Sequence, residues 1–285
     1  MLENIKSYSD ISKKLDLYRI PARDEVFVLN IDVNNEYETN SLRFTYCSPI
    51  CPDMVCELQL IENVSSIFKI DIDYIIDSDS AWKIDVLKQR QVPNINLNDY
   101  ETARLMAPTD DGNLIPISIL YRKSALKLRE ATSNILEASP FEPAPLLLYG
   151  YGAYGISWDP TFSSSNLSLV DRGIIYCIAH VRGGAECGRQ WYLDGKLQNK
   201  KNTFQDYLRC ADFLISNKWC NKGDILAMGG SAGGLLVCVA LNERPELFAA
   251  ALAQVPFVDA IVTMSDPSIP LVLTEYDELG NPNEY

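Results

Sequence analysis

Asp224-Ile225-Leu226-Ala227-Met228-Gly229-Gly230-Ser231-Ala232-Gly233-Gly234-Leu235-Leu236-Val237-Cys238-Val239-Ala240-Leu241-Asn242 decides how this chain is read. The apolar run 224–228 predicts a buried strand. From 232 toward 242 the pattern turns helical: Leu235, Leu236, Val239 and Ala240 share one face, and Pro245 lies just beyond to end it. Between the two, Gly229-Gly230-Ser231-Ala232-Gly233 matches G-x-S-x-G. The bare pattern is weak evidence, because glycine and serine are common; a strand directly before it and a helix directly after give it meaning. A sharp strand-to-helix turn strains the serine backbone, and neighbours without a Cβ let the turn close and a substrate approach the hydroxyl. The helix N-terminus then faces the site, so the amide of Ala232 and the helix dipole would meet a developing oxyanion. Ser231 is the candidate nucleophile and Ala232 a candidate oxyanion donor. The competing reading is a glycine-rich turn in which Ser231 only caps the helix.

Further apolar runs flank this unit at 146–149, 173–179 and 249–255, and continuous apolar strands of this kind predict a sheet covered on both faces. Phe204, Tyr207, Leu208, Ala211, Leu214 and Ile215 form the stripe of a crossover helix, with Asn202 or Thr203 as its expected cap. Strand, crossover and strand in repetition predict a parallel α/β sheet. A hairpin at 104–107 and 114–121, turning at Thr109-Asp110-Asp111-Gly112, precedes it. Before about residue 96 the segments 25–29, 42–46, 54–60 and 81–87 are short and β-like, which predicts antiparallel structure. The stretch 61–80 interrupts that rhythm and reads as an insertion or irregular loop. Two units are expected, residues 1–96 and residues 97–285.

A second oxyanion donor should follow an earlier strand. Tyr149-Gly150-Tyr151-Gly152-Ala153-Tyr154-Gly155 sits there, with phenols interleaved among glycines; a turn packed by aromatic rings is the alternative.

With these pieces, Ala179-His180-Val181-Arg182-Gly183-Gly184, Lys201-Asn202-Thr203-Phe204-Gln205-Asp206-Tyr207, Arg244-Pro245-Glu246-Leu247-Phe248 and Ala253-Gln254-Val255-Pro256-Phe257-Val258-Asp259, the chain resembles the prolyl oligopeptidase family of α/β-hydrolase serine peptidases. Within it the likeness is stronger to the oligopeptidase B branch, which cleaves short peptides after lysine or arginine. The resemblance implies an α/β-hydrolase sheet preceded by the last blades of a β-propeller. By position it makes Ser231 the nucleophile and gives the oxyanion hole to Tyr151 and the amide of Ala232. It further places Glu275 and Asp277, in Thr274-Glu275-Tyr276-Asp277-Glu278-Leu279-Gly280-Asn281-Pro282, where basic side chains are held, although a glutamate is expected at Asp277. Asp159 matches one of two acidic positions for a second basic residue; the other is Thr161. Solvated loop carboxylates are the plain alternative for Glu275 and Asp277.

The single histidine, His180, precedes Ser231, whereas the chain order of α/β-hydrolases is Ser, acid, His. His180 is therefore expected to be structural. No histidine follows Ser231, so the triad cannot close. These absences predict an incomplete sheet with a raw edge, a chain truncated at both ends and no activity from it as written. The alternatives are a non-catalytic peptide-binding or interaction protein, or a family esterase.

Composition bounds the rest. A 285-residue chain with 47% apolar residues can bury one large core. Residues 1–16 mix charges without a signal-peptide core, and no run is apolar for long enough to span a membrane. The eight cysteines are scattered and show no disulfide framework, which predicts a cytoplasmic protein. Cys47, Cys51 and Cys56 lie far from the only histidine, so neither a metal nor another cofactor is expected. A net charge of −13 argues against nucleic acid and anionic membranes, and favours short basic peptides as partners.

Overall fold

The structure is a computed structural model that describes residues 22–60, 82–124 and 142–284. The stretch 61–80, read above as an insertion, lies outside the described residues. The first sheet is an antiparallel meander of β1 (Val28–Ile31), β2 (Ser41–Ser48), β3 (Cys51–Leu60) and β4 (Trp82–Gln89). Its register sets Phe44 opposite Cys56 and Leu58 opposite Ile84. Phe44, Tyr46, Cys51, Met54, Cys56 and Leu58 form its core. Burial pushes the Cys47 thiol up to about 12 and the Cys51 thiol to about 11, so both stay protonated.

The second sheet runs β10-β9-β7-β8-β6-β5. Its members are β5 (Tyr100–Pro108), β6 (Leu114–Arg122), β7 (Leu146–Gly150), β8 (Ile175–Ala179), β9 (Ile225–Gly230) and β10 (Phe248–Gln254). The hairpin β5–β6 joins β8 antiparallel, and β8, β7, β9 and β10 are parallel. Among the described residues the α-helices that connect and follow the strands are α1 (Ser164–Val170), α2 (Arg189–Leu193), α3 (Lys200–Ser216), α4 (Ala232–Glu243), α5 (Ala260–Ser265) and α6 (Val272–Leu279).

Alternation along β7 explains its continuous apolar sequence. Leu146 and Leu148 join a core with Tyr207, Ala211, Leu214 and Leu236 from α3 and α4, while Leu147 and Tyr149 pack with Ile178 on the other face. Each fully buried leucine contributes about 1.5–3 kcal/mol. The Tyr207 hydroxyl also donates to the Leu148 carbonyl at 2.7 Å, fixing α3 over the sheet. The chain runs from β7 to β8 on one side and then back across to β9 on the other. The strand order thus reverses at β7, and the crevice beyond the carboxyl ends of β7 and β9 is where open α/β sheets place their sites.

Two expectations change. Helix α3 starts at Lys200, ahead of the predicted cap, and Thr203 lies inside it with its hydroxyl donating to the Arg182 carbonyl at 2.8 Å. Strand β10, read as covered on both faces, is largely exposed, with Leu252 at 46%. It pairs with β9 alone, and among the described residues nothing pairs with its outer edge.

Candidate active site

Ser231 stands between β9 and α4 with φ 55° and ψ −117°, a conformation that costs about 1–3 kcal/mol for a residue with a side chain. Backbone bonds hold it there. Its N–H donates to the Gln254 carbonyl at 2.9 Å, and its own carbonyl accepts from Gly234 at 3.0 Å and from Leu235 and Phe257 at 3.2 Å. Ser231 occupies the N-cap position of α4, but its side chain is exposed and makes no capping bond to the helix. Ala232 opens α4, where the first amides have no acceptor within the helix.

Close packing explains why glycine follows the serine. A Cβ on Gly233 would lie 2.5 Å from the Gly150 carbonyl oxygen and 3.3 Å from Tyr151 Cα. The serine turn therefore sits directly against the end of β7, which brings Tyr151 alongside. Tyr149 stacks on Trp158 with ring centroids 4.5 Å apart, and Tyr151 lies 5.9 Å from Trp158 and 6.3 Å from Tyr154. Burial, then the charges of Glu275 and Glu278, raise the Tyr151 phenol above its ordinary value. At neutral pH it remains protonated and can donate a hydrogen bond.

Helix α6 carries the acidic residues. Glu275 is half-buried and accepts a 2.6 Å hydrogen bond from the Tyr154 hydroxyl. Asp277 is exposed and joins no hydrogen bond or ion pair among the described residues; in a helix, positions two apart do not face each other. The residue three after Glu275 is instead the buried one. Glu278 is 2% exposed and pairs with Lys200 at 2.9 Å, and the Lys200 ammonium also donates to the Gly152 carbonyl at 2.7 Å. Sequence reasoning missed Lys200 and Glu278, although reading 272–279 as a helix would have put Glu278 beside Glu275. Asp159 is exposed, and its carboxyl is raised by partial burial and then by the nearby charge of Glu186, not by the α6 acids. The Ser231 turn thus packs against the end of β7 at Tyr151, and Glu275 is tied to the same loop through Tyr154, while Asp277 and Asp159 make no side-chain hydrogen bond among the described residues.

His180 directly follows β8, with its ring buried. Nε2 lies 2.6 Å from Ser118 Oγ and Nδ1 3.5 Å from Glu186, while its carbonyl accepts from the Trp191 indole at 3.1 Å. Burial lowers its pKa, so the ring is neutral at pH 7. Both nitrogens are engaged away from Ser231. Among the described residues no group of three or more potential ligands is placed to hold a metal, and no helix is long and apolar enough to cross a membrane.

A positive-φ serine at the carboxyl end of a parallel strand, leading into a helix N-terminus, is the strand–turn–helix geometry found in the α/β-hydrolase fold. Residues 160–285 match the prolyl oligopeptidase family. The chain is 39% identical to dipeptidyl aminopeptidase BI of Pseudoxanthomonas mexicana, over 93% of this chain and 32% of that protein. It is 42% identical to protease 2 of Moraxella lacunata, over 66% of this chain and 25% of that one. Among solved structures, oligopeptidase B from Leishmania major is similar with a TM-score of 0.74 at 37% identity, covering 93% of this chain and 33% of that chain. Oligopeptidase B from Trypanosoma brucei, with covalently bound antipain, follows at 0.73 and 40%, with the same two coverages. The chain is thus similar to members of the prolyl oligopeptidase family, and it spans a quarter to a third of the length of these relatives.

Proposed function

We propose that this chain carries the nucleophile, the oxyanion hole and part of the basic-side-chain site of a serine oligopeptidase acting on short peptides after lysine or arginine. Residues 1–96 serve as propeller-derived structure and 97–285 as the hydrolase part. The observation that carries the reading is the strained, exposed Ser231 packed against the Tyr151 turn. In the reaction Ser231 Oγ attacks the scissile carbonyl carbon and gives its proton to a base. The oxyanion is met by the Tyr151 hydroxyl and the Ala232 amide, the amine leaves with a proton, and water releases the acyl group from Ser231. Glu275 faces the incoming cation, and the net charge of −13 adds long-range attraction. All eight cysteines are free, which supports a reducing, cytoplasmic location.

The one histidine is committed to Ser118 and Glu186, which supports the further reading that this chain binds peptides without completing hydrolysis. Affinity for N-acetyl-arginine amide against its neutral citrulline analogue tests the site. A preference for arginine of about tenfold is expected, falling toward one in Glu275→Gln; equal binding by the unaltered chain would sink the basic preference. A fluorophosphonate probe should leave Ser231 unlabelled, and rapid labelling would show that a base is at hand.

A further inference from the structure

Lys200 is a buried cation that none of the mechanism above uses. Its side chain is 11% exposed, and its ammonium has two partners from parts of the chain far apart in sequence. One is the carbonyl of Gly152, the residue after Tyr151; the other is Oε1 of Glu278, one helical turn beyond Glu275. The second Glu278 oxygen is buried with no hydrogen-bond partner among the described residues, so the lysine is what satisfies this carboxylate. A second link, from the Tyr154 hydroxyl to Glu275, joins the same two segments but is more open to solvent. A buried charge bonded at both ends keeps its geometry, because loss of either partner leaves an uncompensated charge.

We propose that Lys200 is a positioning residue: its ammonium clamps the Tyr151–Tyr154 turn to α6, holding the oxyanion-hole hydroxyl and the Glu275 carboxylate in one register. The substrate's carbonyl oxygen and its basic side chain are then presented to two groups whose separation Lys200 sets. This inference rests on the reading of Glu275 as the acceptor of a basic side chain, and it deepens that reading by adding the residue that fixes the acceptor's place.

Three variants test it in the 285-residue chain. Lys200→Arg keeps a cation with several donors. Lys200→Met leaves Glu278 buried and unpaired and is at risk of unfolding. Lys200→Met/Glu278→Leu removes both charges together, a change that buried pairs often tolerate. Hydrogen exchange decides the clamp. Exchange in both 151–156 and 272–280 should rise about tenfold in the double variant, with the strands β7, β8 and β9 unchanged and Lys200→Arg near the parent. Unchanged exchange in 151–156 overturns the clamp. The arginine-to-citrulline affinity ratio decides positioning: it should fall toward one in the double variant and be restored in Lys200→Arg. A merely structural lysine would lower stability and leave the ratio intact, which would also overturn the proposal. If the unaltered chain shows no preference for arginine, the basic-substrate reading fails and the exchange result still judges the clamp.

Discussion

Ser118, His180 and Glu186 form a buried polar line that resembles a catalytic relay in its contacts but is closed to substrate, with Ser118 at 3% and His180 at 2% exposure. Its consequence is a pH dependence. Burial lowers the His180 pKa, with Arg104 adding to the effect and Glu186 and Asp159 opposing it. Unfolding therefore takes up a proton below about pH 6.5. The stability His180 contributes is complete above that pH and is lost as the pH falls through the lowered native value, at no more than about 1.4 kcal/mol per pH unit. Denaturant titrations between pH 7 and 5 should show this slope, and His180→Gln should flatten it. A larger effect is expected at Arg182, whose guanidinium meets Asp206 at 2.8 and 2.6 Å and the half-exposed Asp111 at 2.6 Å. Asp206→Ala leaves the buried guanidinium with only the half-exposed Asp111 as a charged partner and should cost about 3 kcal/mol, near 10 °C in melting temperature. Asp111→Asn, at a solvent-screened site, should cost under about 1 kcal/mol.

At the scale of the element, the turn between β9 and α4 separates its glycines by what surrounds them. The nearest atom to a Cβ on Gly230 would be 3.7 Å away, whereas on Gly233 it would meet the Gly150 carbonyl at 2.5 Å. Gly230→Ala should melt within about 2 °C of the parent. Gly233→Ala should lose about 1–3 kcal/mol and displace Tyr151, visible as a shift in emission from Trp158, which lies against it. The pattern G-x-S-x-G was legible as a motif, but its unequal glycines were not, because the atoms they would strike belong to β7. Helix α6 shows the same boundary. Its acids read as a run of carboxylates; only the helical pitch turns Asp277 outward and Glu278 in.

For the whole molecule, the outstanding feature is apolar surface beyond β10. Leu252, Val255, Val258, Ile261, Val262, Leu271 and Leu273 are all exposed, the most open being Val255 at 85%. With the outer edge of β10 unpaired among the described residues, exposed apolar side chains of this kind make a surface prone to association. Light scattering on the 285-residue chain should show concentration-dependent association. Leu252→Lys with Ile261→Lys should reduce it without lowering the melting temperature by more than about 2 °C.

Local signals sufficed for the strand–serine–helix unit, the hairpin β5–β6, the crossover helix and the structural role of His180. Each depends on periodicity, turn chemistry or order along the chain, which are properties of neighbouring residues. The Lys200 bridge, the burial of Glu278 and the openness of β10 were decided only by the tertiary structure. The lysine's partners stand 48 and 78 positions away, and no local pattern encodes which distant carbonyl or carboxylate a long side chain will reach. Likewise an apolar run specifies a strand equally well whether or not another element arrives to cover it.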